Sequence, residues 1–329
     1  MDTGIIINLG NSAGESVPNK ADVIIIGGGP AGLTAAIYNC RAGLKVMMIE
    51  KMAVGGQIFL TAEIENYPGY ENISGPELIQ KMEKQADNFG LIKVFDEVLK
   101  IESAEKGVKK VHCASGAVYE SKVIIAATGA RYRDIGVPGE TEFRGRGVSN
   151  CATCDGAFYR NLEVAVVGGG DTAVEEGIYL TKFASKVHII HRRDRLRAAK
   201  IIQERAFKNP KISFIYDSVV TGIFGSKGVD GVKVKNVKTG AESDLKVSGV
   251  FVFIGLVPGT EFLKGTLEMD GQGYIKTDAD MKTSVEGIFA CGDCVSKKLR
   301  QAITAAGDGA AAAYSAEHYI EKLEGTEYV

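Results

Sequence analysis

A strand followed by a glycine turn and a helix occurs twice in this chain, with the same internal spacing. Residues 22–32 read DVIIIGGGPAG and residues 163–173 read EVAVVGGGDTA, so the two copies lie 141 positions apart. The next strand repeats at the same offset, as KVMMIE in residues 45–50 and KVHIIH in residues 186–191. An apolar strand that runs into such a turn and a helix is typical of dinucleotide-binding α/β folds. The sequence therefore predicts two Rossmann-like units.

The first glycine turn has the residues that a dinucleotide requires. Gly27, Gly29 and Gly32 suit the tight turn, the close approach of a pyrophosphate and the contact between helix and strand. Glu50 follows Gly27 by 23 residues, where an acidic side chain accepts hydrogen bonds from a free ribose 2′-OH. The first unit is thus predicted to bind the adenosine of FAD or NAD.

The second copy differs at the position that reads the ribose. It has His191, Arg192 and Arg193 in place of an acid, with Arg197 close behind. Guanidinium groups bind a phosphate dianion in a bidentate manner, whereas a carboxylate would repel it. An arginine cluster alone also fits a solvated helix face or a nucleic-acid patch, but its place after the second Rossmann strand favours a 2′-phosphate. NADPH therefore fits the second unit better than NADH.

Composition limits the classes of function. The 329 residues suffice for about two domains, and the 39 basic and 41 acidic side chains nearly cancel, which argues against nucleic acid or an anionic membrane as partner. The longest apolar run, residues 250–257, is too short to cross a membrane. The start of the chain lacks the pattern of a secretory signal, and six cysteines do not make a disulfide scaffold. We expect a soluble cytoplasmic protein.

A closely spaced cysteine pair lies just before the second glycine turn. Cys151 and Cys154 are separated by two residues and followed by Asp155, and Cys154 lies 14 positions before Gly168. This spacing brings two thiols within reach of a disulfide and commonly lowers the pKa of one of them. The pair is predicted to be redox-active. Asp155 is either an acid that protonates a departing thiolate or a helix or turn cap.

A second pair, Cys291 and Cys294, has the same spacing. Free cysteines pack as small hydrophobic residues, so we favour two buried thiols over a second redox dithiol. A zinc site made of all four cysteines is disfavoured because both pairs already lie at nucleotide-linked positions. The four histidines have no metal-like spacing, and no metal is expected.

Taken together, the motifs resemble the low-molecular-weight bacterial thioredoxin reductases. The resemblance covers about residues 22–323, and its motifs occur in the family's order. They are Gly27–Gly32 (GGGPAG), Gly55–Gln57, Asn66–Gly69 (NYPG), Ala127–Gly129, Cys151–Asp155 (CATCD), Gly168–Ala173, His191–Arg193, Gly292–Asp293 and Arg300–Ala302. The chain departs from the family at Cys291, where the usual residue is alanine.

The resemblance implies a domain organisation. Residues 1–20 are an extension, in which residues 5–9 could add an edge strand; residues 21–130 and 258–329 form an FAD domain; and residues 131–257 form an inserted NADPH domain that carries the dithiol. A helix is predicted over residues 300–323. The family further implies a homodimer and a rotation between the domains, for which glycines near residues 130–136 and 255–259 offer hinges.

The resemblance also implies two cofactor sites. FAD would be held by residues of the first unit and the C-terminal segment, namely Gly27, Gly29, Pro30, Ala31, Gly32, Glu50, Lys51, Gly55, Gly56, Gln57, Asn66, Ala127, Thr128, Gly129, Gly292, Asp293, Arg300, Gln301 and Ala302. NADPH would be held by Gly168, Gly170, Asp171, Thr172, Ala173, His191, Arg192, Arg193 and Arg197.

The roles of the active-site residues follow from the same resemblance. Electrons would pass from NADPH through the flavin to the Cys151–Cys154 disulfide and then to thioredoxin. Cys154 would face the flavin, Cys151 would attack the thioredoxin disulfide, and Asp155 would be the acid. The sequence leaves open a related flavin enzyme that serves a peroxidase-type or other thioredoxin-fold partner. A redox sensor without turnover fits poorly, because the NADPH site is complete.

Overall fold

The computed structural model describes residues 17–61, 64–103 and 107–327. The chain divides into two compact units: a first unit, made of the residues up to Arg131 and from Pro258 onward, and an inserted unit, Tyr132–Val257. Within the described ranges no helix is both long and apolar enough to span a membrane. The edge strand expected in residues 5–9 lies outside the described residues.

Strands and helices alternate at the start of the first unit. Helix α1 begins at Pro30, which suits the first helical position because its missing N–H would have no intrahelical partner. Helix α2 begins after Ser74, whose hydroxyl accepts the Glu77 N–H at 3.3 Å. The elements are β1 (Val23–Ile26), α1 (Pro30–Arg41), β2 (Val46–Glu50), α2 (Gly75–Asn88), β3 (Ile92–Phe95), β4 (Val98–Ser103), β5 (Lys109–Cys113), β6 (Val118–Ser121), β7 (Val123–Ala126) and β8 (Ala130–Tyr132).

The inserted unit contains the second glycine turn and the cysteine pair. Its elements are β9 (Val148–Ser149), α3 (Ala152–Asp155), β10 (Glu163–Gly168), α4 (Asp171–Leu180), β11 (Lys186–Ile190), α5 (Lys200–Lys208), β12 (Ile212–Ile215), β13 (Ser218–Gly225), β14 (Val229–Asn236), β15 (Glu242–Lys246) and β16 (Gly249–Phe253). The chain then returns to the first unit through β17 (Leu256–Pro258) and continues with β18 (Ile288–Ala290) and α6 (Ala302–Glu324).

The first unit is built on a five-stranded parallel sheet in the order β18-β7-β1-β2-β3. The central strands are buried along their whole length, as expected for a parallel sheet covered on both faces. Helices α1 and α6 pack closely on one face, where Gly309 lies against the backbone of Ala31. The strands β4, β5 and β6 form a separate antiparallel sheet.

The inserted unit repeats this plan with a second parallel sheet, in the order β12-β11-β10-β16-β9. Helices α3, α4 and α5 share an apolar core with one face of the sheet, and the antiparallel sheet β13-β14-β15 shares another core with strands β10 and β16. The predicted α/β class with two Rossmann-like units is confirmed. The C-terminal helix begins at Ala302, two residues later than predicted, because Gln301 is extended (φ −144°, ψ 156°) and forms a capping box with Thr304.

Candidate active site

The first glycine turn connects β1 to α1. Gly27 has φ 107°, and a Cβ atom at this position would lie 2.4 Å from the Ala127 carbonyl oxygen. A Cβ atom on Gly32 would lie 1.9 Å from the Gly27 carbonyl oxygen. By contrast, a Cβ atom on Gly29 would meet no heavy atom of the described residues within 4 Å. Packing therefore requires glycine at positions 27 and 32. Gly29 leaves open space at the start of α1, whose first two residues are Pro30 and Ala31.

Glu50 ends β2 and reaches back to this turn. Its Oε2 accepts the Gly28 N–H at 2.7 Å, and its Oε1 accepts the Met52 N–H at 3.2 Å. A cavity of about 330 Å³ lies beside the carboxylate and is lined in part by Gly27, Lys51 and Thr128. The carboxylate thus lies beside the glycine turn and the cavity, and its contact with a ribose stays a prediction.

Other predicted FAD residues of the first unit contact this turn or the C-terminal segment. The Gly55 N–H donates to the Gly28 carbonyl at 2.9 Å, and Gln57 follows in a short 3₁₀-helix. The Asn66 side-chain amide donates to Gln301 Oε1 at 3.2 Å. Gly56 (φ 56°) and Gly129 (φ 61°) both have left-handed conformations that favour glycine.

Two buried polar atoms in the C-terminal segment fit a bound cofactor. Asp293 Oδ1 and Arg300 Nε have no hydrogen-bond partner among the described residues. Lys297 Nζ lies 3.7 Å from that aspartate oxygen, which is too long for a hydrogen bond. Burial raises the pKa of the Asp293 carboxyl group above its ordinary value, although Lys297 opposes this shift. Since buried polar atoms are nearly always hydrogen-bonded, these two atoms fit the polar groups of FAD.

Gly292 brings this segment close to the first helix. It has φ 78°, and an added Cβ atom would lie 2.8 Å from the Ala31 side chain. Ala302 is the first residue of α6. The structure therefore brings the two distant stretches of predicted FAD residues together at the N-terminal end of α1.

The second glycine turn connects β10 to α4, and its first glycine has a similar steric limit. A Cβ atom on Gly168 would lie 2.3 Å from the Phe253 carbonyl oxygen. Gly169, which sequence reasoning did not assign, faces the His191 ring at 2.4 Å from an added Cβ atom. Asp171 Oδ1 accepts the Ala199 N–H at 2.6 Å, and Thr172 and Ala173 follow in α4. The middle glycine is thus required by the buried histidine behind the turn.

The predicted phosphate-binding residues follow β11. Arg192, Arg193 and Arg197 are exposed, and the Arg197 N–H donates to the Gly169 carbonyl at 2.6 Å. His191 is buried, and burial together with the three guanidinium charges lowers the pKa of its imidazole. The charge of this cluster therefore comes from the arginines. Three exposed cations beside a glycine turn suit a ribose 2′-phosphate.

The structure joins Cys151 and Cys154 by a disulfide, with their Cα atoms 5.4 Å apart. Cys151 caps the four-residue helix α3, and its Sγ accepts the Cys154 N–H at 3.1 Å. The Cys151 N–H donates to Ser149 Oγ at 2.9 Å. Cys154 is exposed, whereas Cys151 and Asp155 are half-buried. The side chain of Asp155 makes no cap hydrogen bond to the 3₁₀-helix Gly156–Tyr159 that follows.

Two features near the disulfide were not predicted. Phe158 lies in that 3₁₀-helix with 78% of its surface exposed, although large apolar side chains are usually at least partly covered. Glu176 lies on α4, and its carboxylate accepts the backbone N–H of Ala152 between the two cysteines. The sequence signals were an aromatic residue four positions after Cys154 and a pair of adjacent acids, Glu175 and Glu176, in the middle of α4.

The second cysteine pair has a different environment. Cys291 and Cys294 are both fully buried, and they belong to hydrophobic clusters on opposite faces of the first sheet. Cys294 Sγ donates to the Cys291 carbonyl at 3.2 Å, and burial raises the pKa of both thiols. Neither thiol is poised to form a thiolate. Across the described ranges, no three histidine, cysteine, aspartate or glutamate side chains form a cluster able to hold a metal ion.

Two glycine turns of dinucleotide type and a disulfide in a separate turn define a nucleotide-dependent disulfide oxidoreductase. The family model for pyridine nucleotide-disulphide oxidoreductases matches residues 21–309. The chain is 51% identical to a thioredoxin reductase of Peptoclostridium acidaminophilum (92% of this chain, 98% of that one) and 49% identical to one of Bacillus subtilis (93% and 96%). A crystal structure of the Lactococcus lactis thioredoxin reductase superposes with a TM-score of 0.90 at 48% identity, covering 92% and 99%.

The chain belongs to the pyridine nucleotide-disulphide oxidoreductase family and, within it, to the thioredoxin reductases. The resemblance stated from the motifs is thereby confirmed. The chain is an NADPH-dependent flavoprotein oxidoreductase with FAD and NADPH as cofactors. The individual cofactor contacts and the roles of the cysteines and Asp155 stay predictions.

Proposed function

We propose that this chain is a thioredoxin-disulfide reductase that uses the Cys151–Cys154 disulfide. The observation that carries the proposal is the disulfide itself, which closes a turn in the same unit as the glycine turn and the arginine cluster. FAD would be held by the residues around the first glycine turn and by the segment with Asp293 and Arg300, and it would supply two-electron transfer between NADPH and this disulfide. The chain's own residues then perform thiol-disulfide exchange with the partner.

The first exchange step forms a mixed disulfide. A thiolate of the reduced pair attacks one sulfur of oxidised thioredoxin, and the second partner sulfur leaves as a thiolate. The other thiolate of the pair then attacks its neighbour, which re-forms the Cys151–Cys154 disulfide and releases thioredoxin as a dithiol. We propose that Asp155, half-buried beside the pair, protonates the departing thiolate.

The family resemblance assigns the attack on thioredoxin to Cys151. Exposure in the oxidised structure favours the other cysteine, because Cys154 is exposed and Cys151 is half-buried. The attacking cysteine is therefore the point at which single-cysteine variants are most informative. Phe158, exposed just beyond the pair, offers an apolar surface for the partner protein.

Steady-state turnover with purified thioredoxin and a disulfide dye tests the proposal. We expect NADPH-dependent reduction of the dye that requires thioredoxin. The variant Cys151→Ser should keep NADPH oxidation by an artificial acceptor such as ferricyanide, since that path bypasses the disulfide, and should lose thioredoxin reduction. Cys40→Ser, at a buried cysteine remote from both pairs in sequence, is the control and should keep both activities. Flavin reduction by NADPH without any thioredoxin turnover in the wild type would contradict the proposal.

The same incubation identifies the attacking cysteine. A thioredoxin variant with one active-site cysteine replaced by serine should be trapped as a mixed disulfide by Cys154→Ser and not by Cys151→Ser, if Cys151 attacks. The reverse pattern would assign the attack to Cys154, in line with its greater exposure. We further propose, from the family resemblance, that the enzyme is a cytoplasmic homodimer.

A further inference from the structure

Glu176 connects α4 to the turn that carries the redox-active disulfide. Helix α4 packs against α3, and the Glu176 carboxylate accepts the backbone N–H of Ala152. Ala152 is fully buried between the two cysteines in sequence. A movement of Glu176 would therefore change the position of the backbone between the two sulfur-bearing residues.

The surroundings of this carboxyl group are mainly apolar. Its second oxygen, Oε2, is buried and has no hydrogen-bond partner among the described residues. The sheet and α5 beneath α4 present apolar side chains to the shared core, including Val166, Phe251 and Ile202. A carboxylate with one unpaired oxygen in such a core is costly, because burial disfavours its charged form.

The ionisable neighbours are few. Glu175 lies next to Glu176 on the same helix, Tyr132 interacts with Glu176 electrostatically, and α3 contributes Cys154 and Asp155. Burial and the negative charge of Glu176 raise the pKa of Tyr132 to about 12, so this tyrosine stays neutral near physiological pH. Burial and, secondarily, Glu175 raise the pKa of Glu176 to about 7. No cation faces this carboxyl group among these neighbours.

A purely structural role would need only an acceptor for the Ala152 N–H. A glutamine amide oxygen accepts that hydrogen bond equally well and has no charge to desolvate. A carboxyl group with a pKa near neutral can do more, because it can take up a proton when charge forms on the sulfurs beside it. The two roles are separable by substitution.

We propose that Glu176 is a positioning residue for reduction of the Cys151–Cys154 disulfide, which fixes the turn between the cysteines and takes up a proton when the pair is reduced. This inference rests on the proposed function. Reduction breaks the S–S bond with two electrons that originate from NADPH and leaves two thiolates, of which one takes a proton from solvent. Negative charge that remains on one sulfur favours uptake of one further solvent proton by the Glu176 carboxylate. Reoxidation by the partner returns that proton to solvent.

Three variants of the full-length holoenzyme separate the roles. Glu176→Gln keeps an acceptor for Ala152 and removes the charge, Glu176→Leu removes both, and Glu204→Gln makes the same chemical change at an exposed position of α5. The readouts are thioredoxin reduction across a pH series and NADPH oxidation by ferricyanide. The second reaction does not use the disulfide, and it should be unchanged in every variant.

We expect an inflection near neutral pH in the thioredoxin reduction rate of the wild type and of Glu204→Gln. Glu176→Gln should lose this inflection and keep a wild-type plateau rate within about twofold. Glu176→Leu should be slower by about tenfold, as expected when a buried N–H loses its acceptor. An unchanged pH profile in Glu176→Gln would overturn the proton uptake, and a wild-type rate in Glu176→Leu would overturn the positioning role. Loss of turnover in the wild type itself would instead refute the proposed function.

Redox-difference infrared spectroscopy provides a second test that does not depend on turnover. Reduction of the wild-type disulfide should produce a band of a protonated carboxylic acid that is absent in Glu176→Gln. The same band in both proteins would assign the protonation to another group and overturn the proposal. Thermal melting of each variant identifies any that fail to fold, and Glu176→Gln, which preserves shape, keeps the test valid if Glu176→Leu does not fold.

Discussion

The carboxyl group of Glu176 makes the stability of the protein depend on pH. Its pKa rises from an ordinary value of 4.5 to about 7 in the folded protein, so the folded state binds this proton more tightly than the unfolded state. The associated stability is fully present below about pH 4.5 and is lost as the pH rises through about 7. At one to two pH units above neutral, the ionised carboxylate costs on the order of 3 kcal/mol.

Replacing this glutamate by glutamine should remove that dependence. We expect Glu176→Gln to unfold at a higher denaturant concentration than the wild type under mildly alkaline conditions, and at the same concentration below about pH 4.5, where the carboxyl group is protonated in both states. Urea unfolding of both proteins at the two pH values measures the difference, with Glu204→Gln as the control at an exposed site. If the free energies of unfolding of the wild type and Glu176→Gln differed by the same amount at both pH values, the expectation would be wrong. The Glu176 carboxyl group would then have the same pKa in the folded and the unfolded protein.

Single residues differ in how well the sequence revealed them. Gly27 and Gly32 were predictable because a repeated glycine pattern after a strand implies close backbone contacts, which the structure shows. Gly169 and Glu176 were not predicted, since their importance comes from groups that are remote in sequence: the His191 ring beside the glycine and the Ala152 backbone N–H beside the acid. A local pattern carries no information about such partners.

Helix α6 packs so closely on α1 that one of its glycines has no room for a side chain. A Cβ atom on Gly309 would lie 2.2 Å from the Ala31 carbonyl oxygen, which is backbone and cannot rotate away. Gly307, two residues earlier on the same helix, has no described heavy atom within 4 Å of an added Cβ atom. The first glycine is therefore required by packing, and the second is not.

Alanine substitutions at these two positions should have opposite effects. Gly309→Ala should lower the free energy of unfolding by roughly 2–4 kcal/mol, because the helices must separate. Gly307→Ala should raise it by about 0.5–1 kcal/mol, because alanine has the better helix propensity. Thermal unfolding of the two holoenzyme variants measures both values. Equal melting temperatures for the two variants would show that α6 can shift on α1 without cost.

Elements with strong local signals were predicted, and others were not. The buried strands β1 and β10 and the helices that follow them repeat in the sequence, so their type and order could be deduced. The antiparallel sheet β13-β14-β15 was not anticipated, because β15 is largely exposed and has a single apolar residue, Leu245. The start of α6 was misplaced by two residues because the capping box at Gln301 depends on Thr304, not on helix propensity.

At the scale of the whole molecule, the repeat determined the fold class and the order of the chain. Two α/β units, one inserted into the other, follow from two copies of one motif with a return strand after the second copy. The strand order could not be predicted from the sequence, because pairings such as β10 with β16 join residues more than 80 positions apart. The two cysteine pairs show the same limit: identical spacing gave a disulfide in one turn and two buried thiols on opposite faces of a sheet in the other.

The central claim is that electrons from NADPH reach the partner through Cys151 and Cys154. Alkylation of the native holoenzyme under anaerobic conditions, followed by peptide mass spectrometry, tests it directly. We predict that NADPH makes Cys151 and Cys154 reactive, that oxidised thioredoxin reverses this change, and that the buried Cys291 and Cys294 stay unmodified throughout. A disulfide between Cys151 and Cys154 that persists after NADPH has reduced the flavin would contradict the account.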